Sequence, residues 1–447
     1  MGLLTGGLIA SGATPASAHP TSLERGGTTL TVRLAPPVVT VGEPSVLVAG
    51  LSPAQSGRTF VVQRLVDTAW QSIASVTGTT TGRAVVPLDT SSAGPQVLRV
   101  IATATPDLPR SISPQVTLKV YTAASCTPRV ALVDADATPA ARCLAARLDR
   151  WRAAGLMGVG QQLNVSNSDY LAPLTALSGR RVSVVGFDLE ELAAGETYQF
   201  PDPPLKTLAA LAQQGAVLSA SWHTTNPHTQ RPSWDRSWTS LDALLSPDTP
   251  EGARFWADYD TKLGLLRQLQ DAGVAVVLRA FHEANGDWFW WAKPDPATYR
   301  RLWTMMQRRA WDAGVHNVVW AYSFAARSRA GIRAPDRLLP TRVDLAGIDS
   351  YDPEGPSADP RDRLDVTGYA AVAEKVARMA LSEVGPADSA TGSWNPAVLS
   401  RVARTVSPRP VWAMLWFDDA SGRKQIGSLS GGLRWLDSCP NALCYLR

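Results

Sequence analysis

The sequence has little of several features that would indicate other classes of protein. Over 447 residues, Lys and Arg (43) barely outnumber Asp and Glu (39), and the formal net charge is +4. No basic stripe is present that could neutralise a run of phosphates, so nucleic acid is not an expected partner. No apolar run beyond the N-terminus reaches the roughly 18 residues of a membrane-spanning helix. We therefore expect no membrane span.

Motifs of several other chemistries are also absent. Without a Gly-x-Ser-x-Gly elbow or a Gly-x-Gly-x-x-Gly loop, the sequence does not support acyl transfer or dinucleotide binding. His282 and Glu283 begin a zinc-protease motif, but Gly286 stands where its second His would be. For His223 and His228, five residues apart, hydrogen bonding is favoured over metal binding. We expect neither a metal nor a cofactor.

Cysteine is rare, with four residues in the chain, Cys126, Cys143, Cys439 and Cys444. An even number is compatible with disulfides in an oxidising compartment. Three pairings are possible, and we favour the two local ones because each would hold one end of the C-terminal domain. A zinc site has weak support, since no spacing is Cys-x-x-Cys and no His is nearby.

The N-terminus has the pattern of an export signal. An uncharged apolar stretch over residues 2–12 leads into the small-x-small tripeptide Ala-Ser-Ala at 16–18. We predict a signal peptide over residues 1–18, cleaved before His19, and a secreted protein. No Lys or Arg precedes the apolar stretch, so the basic n-region is missing. The alternative is a disordered leader rich in small residues.

The length of the chain indicates two domains. Residues 19–122 contain seven short β-type runs at about ten-residue spacing, which predicts an immunoglobulin-like β-sandwich. The runs are TTLTVRL, SVLVAGL, TFVVQRL, SIASVTG, GRAVVPL, QVLRVIATA and QVTLKVY. The strand region over residues 28–121 has no His and one Trp, Trp70, so a spacer or adhesion module is favoured over a glycan-binding module.

Residues 123–447 alternate short apolar runs with longer segments of helical period, which predicts an α/β fold with a parallel sheet. Eight candidate strands, the number that closes a (β/α)8 barrel, suit a domain of this length. They are GLMGVGQ, VSVVGFD, AVLSASWH, AVVLRAFHE, NVVWAYS, LAGIDSY, ALSEVG and VWAMLWFDD. Most end in polar or aromatic residues, and the carboxyl ends of barrel strands form the active-site face.

Glu283 and Glu383 close the fourth and seventh candidate strands, which face each other across the mouth of an eight-stranded barrel. Cleavage of a glycosidic bond with retention needs an acid and a nucleophilic carboxylate about 5 to 5.5 Å apart. Each Glu follows an apolar run, so desolvation and the neighbouring charge should keep one of them protonated. The alternative for either residue alone is a structural salt bridge, for example with Arg279.

Five segments closely resemble glycoside hydrolase family 26, which is best known for β-mannanases. They are SASWHTTNP (219–227), RAFHEANGDWFWW (279–291), GIDSYDP (347–353), SEVG (382–385) and AMLWFDDA (413–420). The resemblance covers nearly all of residues 123–447 and implies a retaining enzyme with Glu283 as acid/base and Glu383 as nucleophile. It also implies that His282 orients the acid/base. The remaining expected substrate-binding residues are His223, Trp288, Tyr351, Trp416, Asp349, Arg279 and Asn285.

Ala284, Val384 and the loop over residues 339–342 depart from the usual family pattern, and the loop bears on substrate preference. We predict an endo-β-1,4-mannanase that acts on mannan, galactomannan or glucomannan by double displacement and is a monomer. Within the same resemblance, the alternatives are a β-1,3-xylanase, a mixed-linkage glucanase or an exo-acting mannobiohydrolase. A non-catalytic glycan-binding protein is the alternative from another class.

Overall fold

A computed structural model of the chain describes residues 28–35, 37–43, 45–106, 108–164, 182–194, 204–327, 330–352 and 363–446. The predicted signal peptide lies outside the described residues. The chain divides into two compact units. Of the described residues, 28–35, 45–89 and 94–119 belong to the first, and 37–43, 90–93 and those from Val120 onward belong to the second.

The N-terminal unit is all β, as expected for the domain ahead of the barrel. One sheet has the order β1-β3-β6, and the other has the order β2-β9-β7-β4-β5 with β8 paired to β7. In β6, buried and exposed residues alternate strictly, because one face of the strand packs on the core. All seven predicted runs form strands. The strands are β1 (Thr29–Ala35), β2 (Val38–Thr40), β3 (Val46–Ser52), β4 (Thr59–Val66), β5 (Ala69–Thr77), β6 (Arg83–Pro87), β7 (Gly94–Ala102), β8 (Ser111–Ile112) and β9 (Val116–Tyr121).

The second unit is a closed barrel of eight parallel strands. Each strand pairs with the next along the chain, and the first pairs with both the second and the last, which closes the ring. The predicted (β/α)8 barrel is therefore confirmed. Its strands are β10 (Leu156–Gln162), β11 (Val184–Asp188), β12 (Val217–Ser221), β13 (Val276–Arg279), β14 (Val318–Ala325), β15 (Leu345–Asp352), β16 (Met379–Pro386) and β17 (Trp412–Leu415). A ninth strand, β18 (Leu443–Tyr445), pairs antiparallel with β10.

Three barrel helices begin at a capping residue followed by Pro, a signal visible in the sequence. Thr138, Thr249 and Asp295 accept hydrogen bonds from backbone N–H groups of the first helical turn. The helices are α1 (Pro139–Ala154), α2 (Leu189–Ala194), α3 (Pro204–Gln213), α4 (Pro250–Asp271), α5 (Pro296–Asp312), α6 (Tyr369–Ala373), α7 (Ala397–Thr405) and α8 (Gly432–Asp437). Short 3-10 helices span Ala123–Cys126, Asp242–Leu245, Pro335–Arg337 and Pro440–Ala442. Helix α6 is short, and the chain enters β16 at Met379.

Apolar side chains fill the amino-terminal part of the barrel. Val184, Val217, Val277 and Val319, near the starts of their strands, are buried in one cluster with residues of α1. Successive residues of a strand point to opposite faces. Leu218, next to Val217, therefore packs with the outer helices in a second cluster. Polar strand residues are thereby concentrated toward the carboxyl ends.

Both disulfides join residues close in sequence. Cys126 is bonded to Cys143, and Cys439 is bonded to Cys444, which are the two local pairs favoured above. The first links the segment before α1 to that helix, and the second links the region after α8 to β18. Within the ranges that the structure describes, none of the helices has the length and apolarity needed to cross a membrane.

Candidate active site

Glu283 lies on a turn beyond the strand that was predicted to carry it. The sequence predicted a strand through residue 283, but β13 ends at Arg279. Phe281 (φ 47°) and Glu283 (φ 56°) both adopt left-handed backbone conformations, which are costly for residues other than glycine. The turn is held because the Glu283 N–H donates to the Ser323 carbonyl at 2.9 Å and the Gly286 N–H donates to the Glu283 carbonyl at 2.8 Å. Strand β14 thus fixes the backbone that presents Glu283.

Glu383 lies within β16, beside an irregularity in the sheet. Asp349 of β15 and Glu383 occupy the same register position, immediately after a break in the pairing that follows Ile348. The pairing of β16 with β17 is interrupted between Leu381 and Val384. Bulges of this kind re-aim side chains near active sites, and here they bring both carboxylates to the mouth end of the barrel.

Both oxygens of Glu383 accept hydrogen bonds. Arg279 Nη2 donates to Oε2 at 2.7 Å, and the Tyr351 hydroxyl donates to Oε1 at 2.6 Å. Glu383 is 6% exposed, so these bonds operate with little competition from water. A cation and a short hydroxyl donor form strong, charge-assisted bonds with a carboxylate anion. Burial, followed by the charge of Glu383, raises the pKa of Tyr351 well above its ordinary value, so the phenol keeps its proton.

Glu283 has the opposite environment. It is 7% exposed and accepts a hydrogen bond from the Trp288 indole, whose Nε1 lies 2.5 Å from Oε2. Burial, reinforced by the charges of Asp349 and Glu383, raises the pKa of Glu283 well above its ordinary range. The site therefore combines a carboxyl group whose pKa is raised with one that is held by a cation and a hydroxyl donor, a difference that suits acid and nucleophile roles.

A buried polar network supports Glu383 from within the barrel. Asp349 accepts hydrogen bonds from the hydroxyls of Ser323 at 2.9 Å and Ser382 at 2.6 Å, and Arg279 lies 3.3 Å from its Oδ2. Burial, opposed by Arg279 and reinforced by Glu383, raises the pKa of Asp349 to about 7. Arg279 and Asp349 are 1% and 2% exposed. Their burial places them in the network around Glu383, and their expected contact with substrate stays a prediction.

Asn285 is hydrogen-bonded to backbone groups on both sides of a loop. Its side-chain amide donates to the carbonyls of Ala325 at 2.8 Å and Arg333 at 3.1 Å, and its oxygen accepts from the Ala325 N–H at 2.9 Å. The residue is fully buried. Through these bonds Asn285 fastens the turn of Glu283 to the chain after β14, and its expected contact with substrate stays a prediction.

Four of the expected contact residues line the mouth with part of their surface exposed: His223, Trp288, Tyr351 and Trp416. The His223 ring lies 4.6 Å from the His282 ring and 6.1 Å from the Trp416 ring, measured between centroids. His282 itself is 1% exposed. Burial, together with the positive charges of His223 and Arg279, lowers the pKa of His282 well below its ordinary value, so it is a neutral imidazole.

Several residues of the site were not assigned a role from the sequence. Asp188, at the end of β11, lies 2.7 Å from His223 Nδ1. Ser323 and Ser382 complete the network around Asp349, and the exposed Trp234 ring lies 4.6 Å from Phe289. Position at a strand end was a usable signal for Asp188, whereas the two serines carry none. Among the residues that the structure describes, no group of three His, Cys, Asp or Glu side chains could hold a metal ion.

A closed (β/α)8 barrel with two differently held glutamates at the carboxyl ends of its strands defines the class to which this chain belongs. The sequence model of glycosyl hydrolase family 26 matches residues 135–431. The chain is a member of glycosyl hydrolase family 26, as its motifs predicted.

Relatives of known name share the barrel region. A mannan endo-1,4-β-mannosidase of Bacillus subtilis (strain 168) is 25% identical over 227 residues, covering 48% of this chain and 60% of the relative. A mannan endo-1,4-β-mannosidase A and B of Caldalkalibacillus mannanilyticus is 28% identical over 230 residues, covering 48% of this chain and 42% of the relative. The alignments thus span roughly half the length of these relatives.

Solved structures agree in fold. The YdhT protein from Bacillus subtilis superposes with a TM-score of 0.57 at 21% identity, covering 68% of this chain and 93% of that one. A modular endo-β-1,4-mannanase from Cellulomonas fimi superposes with a TM-score of 0.53 at 24% identity, covering 66% and 72%. At these identities the likeness concerns the barrel fold.

Proposed function

We propose that this protein is a retaining glycoside hydrolase that cleaves β-1,4-mannan internally. The observation that carries the proposal is the contrast between its two buried glutamates: the pKa of Glu283 is raised, whereas Glu383 accepts hydrogen bonds from Arg279 and Tyr351. Neither role requires a cofactor.

In the first step, a Glu383 oxygen bonds to the anomeric carbon as the bond from that carbon to the leaving oxygen breaks. Glu283 gives its proton to the leaving oxygen, and a glycosyl ester remains on Glu383. Esterification removes the negative charge of Glu383, which lowers the pKa of Glu283 and prepares it to act as a base. Glu283 then takes a proton from water as the water oxygen attacks the anomeric carbon, and Glu383 leaves as a carboxylate.

The surrounding residues hold the two carboxylates in position for these steps. Arg279 is anchored to the Ser382 carbonyl at 2.8 Å and directs its other nitrogen to Glu383, so the guanidinium plane orients the nucleophile. The Trp291 indole donates to the His282 carbonyl at 2.8 Å, which steadies the turn before Glu283. His223, Trp288, Tyr351 and Trp416 then supply the partly exposed surfaces that contact sugar rings.

Mannan is the favoured substrate because the relatives that match this barrel are named as mannan endo-1,4-β-mannosidases. Within the family the alternatives are β-1,3-xylan, mixed-linkage glucan or exo-action on mannan. Reducing ends released from mannan, β-1,3-xylan and lichenan, measured side by side, separate these substrates. The length of the first products separates endo from exo cleavage. Sugar binding without any product would support the non-catalytic alternative and refute the hydrolase.

The catalytic assignment is tested by Glu383→Ala, which should abolish turnover by several orders of magnitude while the thermal melt stays cooperative. The matched control is Glu374→Ala, because Glu374 is an exposed glutamate of the same barrel. NMR of the anomeric proton in the first product reports stereochemistry. Inversion, or near-normal turnover in Glu383→Ala, would remove Glu383 from the nucleophile role.

We also propose that the protein is secreted as a monomer, with a signal peptide over residues 1–18 and domain boundaries at 19–122 and 123–447. The two disulfides support an oxidising compartment. The N-terminal β domain then serves as a spacer or adhesion module. Mass spectrometry of the mature N-terminus in culture medium, with light scattering of the intact protein, tests these points.

A further inference from the structure

A buried carboxylate lies directly behind one of the mouth residues. Asp188 ends β11 and is 3% exposed. Its Oδ2 lies 2.7 Å from His223 Nδ1 and accepts a hydrogen bond from the Ser221 hydroxyl at 2.8 Å. The backbone N–H of Glu190 donates to its Oδ1 at 2.9 Å. This saturated set of donors fixes the carboxylate and, through it, the orientation of the imidazole.

A second buried cluster holds the backbone that carries His223. Glu190 accepts hydrogen bonds from the Trp222 indole at 3.1 Å and the Thr225 hydroxyl at 3.0 Å, and it is paired at 2.9 Å with Lys262. The Lys262 side chain is 3% exposed. Residues on both sides of His223 are therefore anchored, so the contact between the imidazole and Asp188 is built into the fold.

Because Nδ1 is directed to Asp188, the nitrogen left to face the cleft is Nε2, on a side chain that is 21% exposed. A neutral imidazole with its proton on Nδ1 would offer a lone pair there, whereas an imidazolium offers an N–H donor. Asp188 therefore decides which kind of hydrogen bond a sugar hydroxyl meets at this point of the mouth.

We propose that Asp188 is a positioning residue that keeps His223 as an imidazolium, so that His223 acts as a charged hydrogen-bond donor to the bound sugar beside Glu383. The inference rests on the proposed glycosidase function and deepens it. The charges facing His223 come from Asp188 on β11, Glu191 on α2 and Glu383 on β16, while His282 packs against the ring as a neutral imidazole.

The electrostatics agree with this geometry. Burial alone would lower the pKa of His223, but the charge and hydrogen bond of Asp188, followed by the charges of Glu383 and Glu191, raise it above its ordinary value. In turn, although burial opposes ionisation of Asp188, the His223 charge lowers the pKa of Asp188 to about 2. Each member of the Asp188–His223 pair thus favours the charged form of the other.

The direct test is an NMR titration of the imidazole nitrogens in the full chain, which has five histidines, with His223→Gln to assign the signal. In the natural protein His223 should titrate above pH 6.5, and in Asp188→Asn it should titrate lower by about one pH unit or more. The matched control is Asp134→Asn, because Asp134 contacts His316 Nδ1 at 2.9 Å in a similar pair remote from the mouth. It should leave the His223 titration unchanged.

The second readout is activity against pH on mannan. Asp188→Asn should lower kcat/KM at neutral pH about ten- to a hundredfold and move the alkaline limb downward, because His223 now loses its proton first. If His223 titrates below its ordinary value in the natural protein, or if Asp188→Asn leaves both the titration and the limb in place, the inference is wrong. The titration needs no turnover, so its result stands apart from any failure of the hydrolase proposal.

Discussion

Removing the indole donor of Trp288 should raise the pKa of Glu283 further. Trp288 Nε1 donates to Glu283 Oε2 at 2.5 Å, and this bond favours the ionised carboxylate. A hydrogen bond to a charged group contributes roughly 1.5 to 3 kcal/mol, and one pKa unit corresponds to about 1.4 kcal/mol. Since Glu283 is 7% exposed, solvent replaces little of the bond. Trp288→Phe should therefore shift the Glu283 pKa upward by about one to two units.

The sign of the effect on activity follows from the acid role of Glu283. Activity is lost on the alkaline side as Glu283 releases its proton, so Trp288→Phe should move that limb of kcat/KM to higher pH. The maximal rate should fall, because a carboxyl group with a higher pKa is a weaker acid. The assay is the release of reducing ends from mannan between about pH 4 and pH 10.

The control is Trp234→Phe, which changes an exposed indole that lies against Phe289 at the same mouth. It should leave the alkaline limb in place. If the limb of Trp288→Phe stays where it is in the natural protein, or moves to lower pH, then the Trp288 bond does not act on the acid form of Glu283 as argued.

Three further changes test the supports of the site and of the fold. Asn285→Ala should lower kcat with little change in KM, because Asn285 holds a backbone turn. An effect on KM alone would instead support the predicted contact with substrate. Arg279→Met should destabilise the protein by about 3 to 5 kcal/mol in urea unfolding, because Glu383 would remain buried without its cation, and an unchanged midpoint would contradict this. Replacing Cys439 and Cys444 by Ser should lower the free energy of unfolding by about 2 kcal/mol, because their sequence separation is 5. Removing the Cys126–Cys143 disulfide should lower it by about 3 kcal/mol, and the reverse order would refute the reasoning.

The barrel could be predicted because its signals are local. Eight apolar runs were visible as strands, and helix starts were marked by a capping residue before Pro at Thr138, Thr249 and Asp295. The end of β13 was missed, since Ala280 and Phe281 continue the apolar run while contacts from β14 turn the backbone. A local sequence pattern cannot show that hydrogen bonds to a neighbouring strand will bend the backbone.

The sequence by itself determined the number of strands, the candidate glutamates and the family, because period, spacing and motif are properties of neighbouring residues. The tertiary structure decided which groups surround each glutamate and which expected contact residues are buried. Those outcomes depend on groups that are distant along the chain, such as Arg279 beside Glu383 and Asp188 beside His223. Desolvation and charge act over a few ångströms of space, and only the closed barrel brings these groups that close.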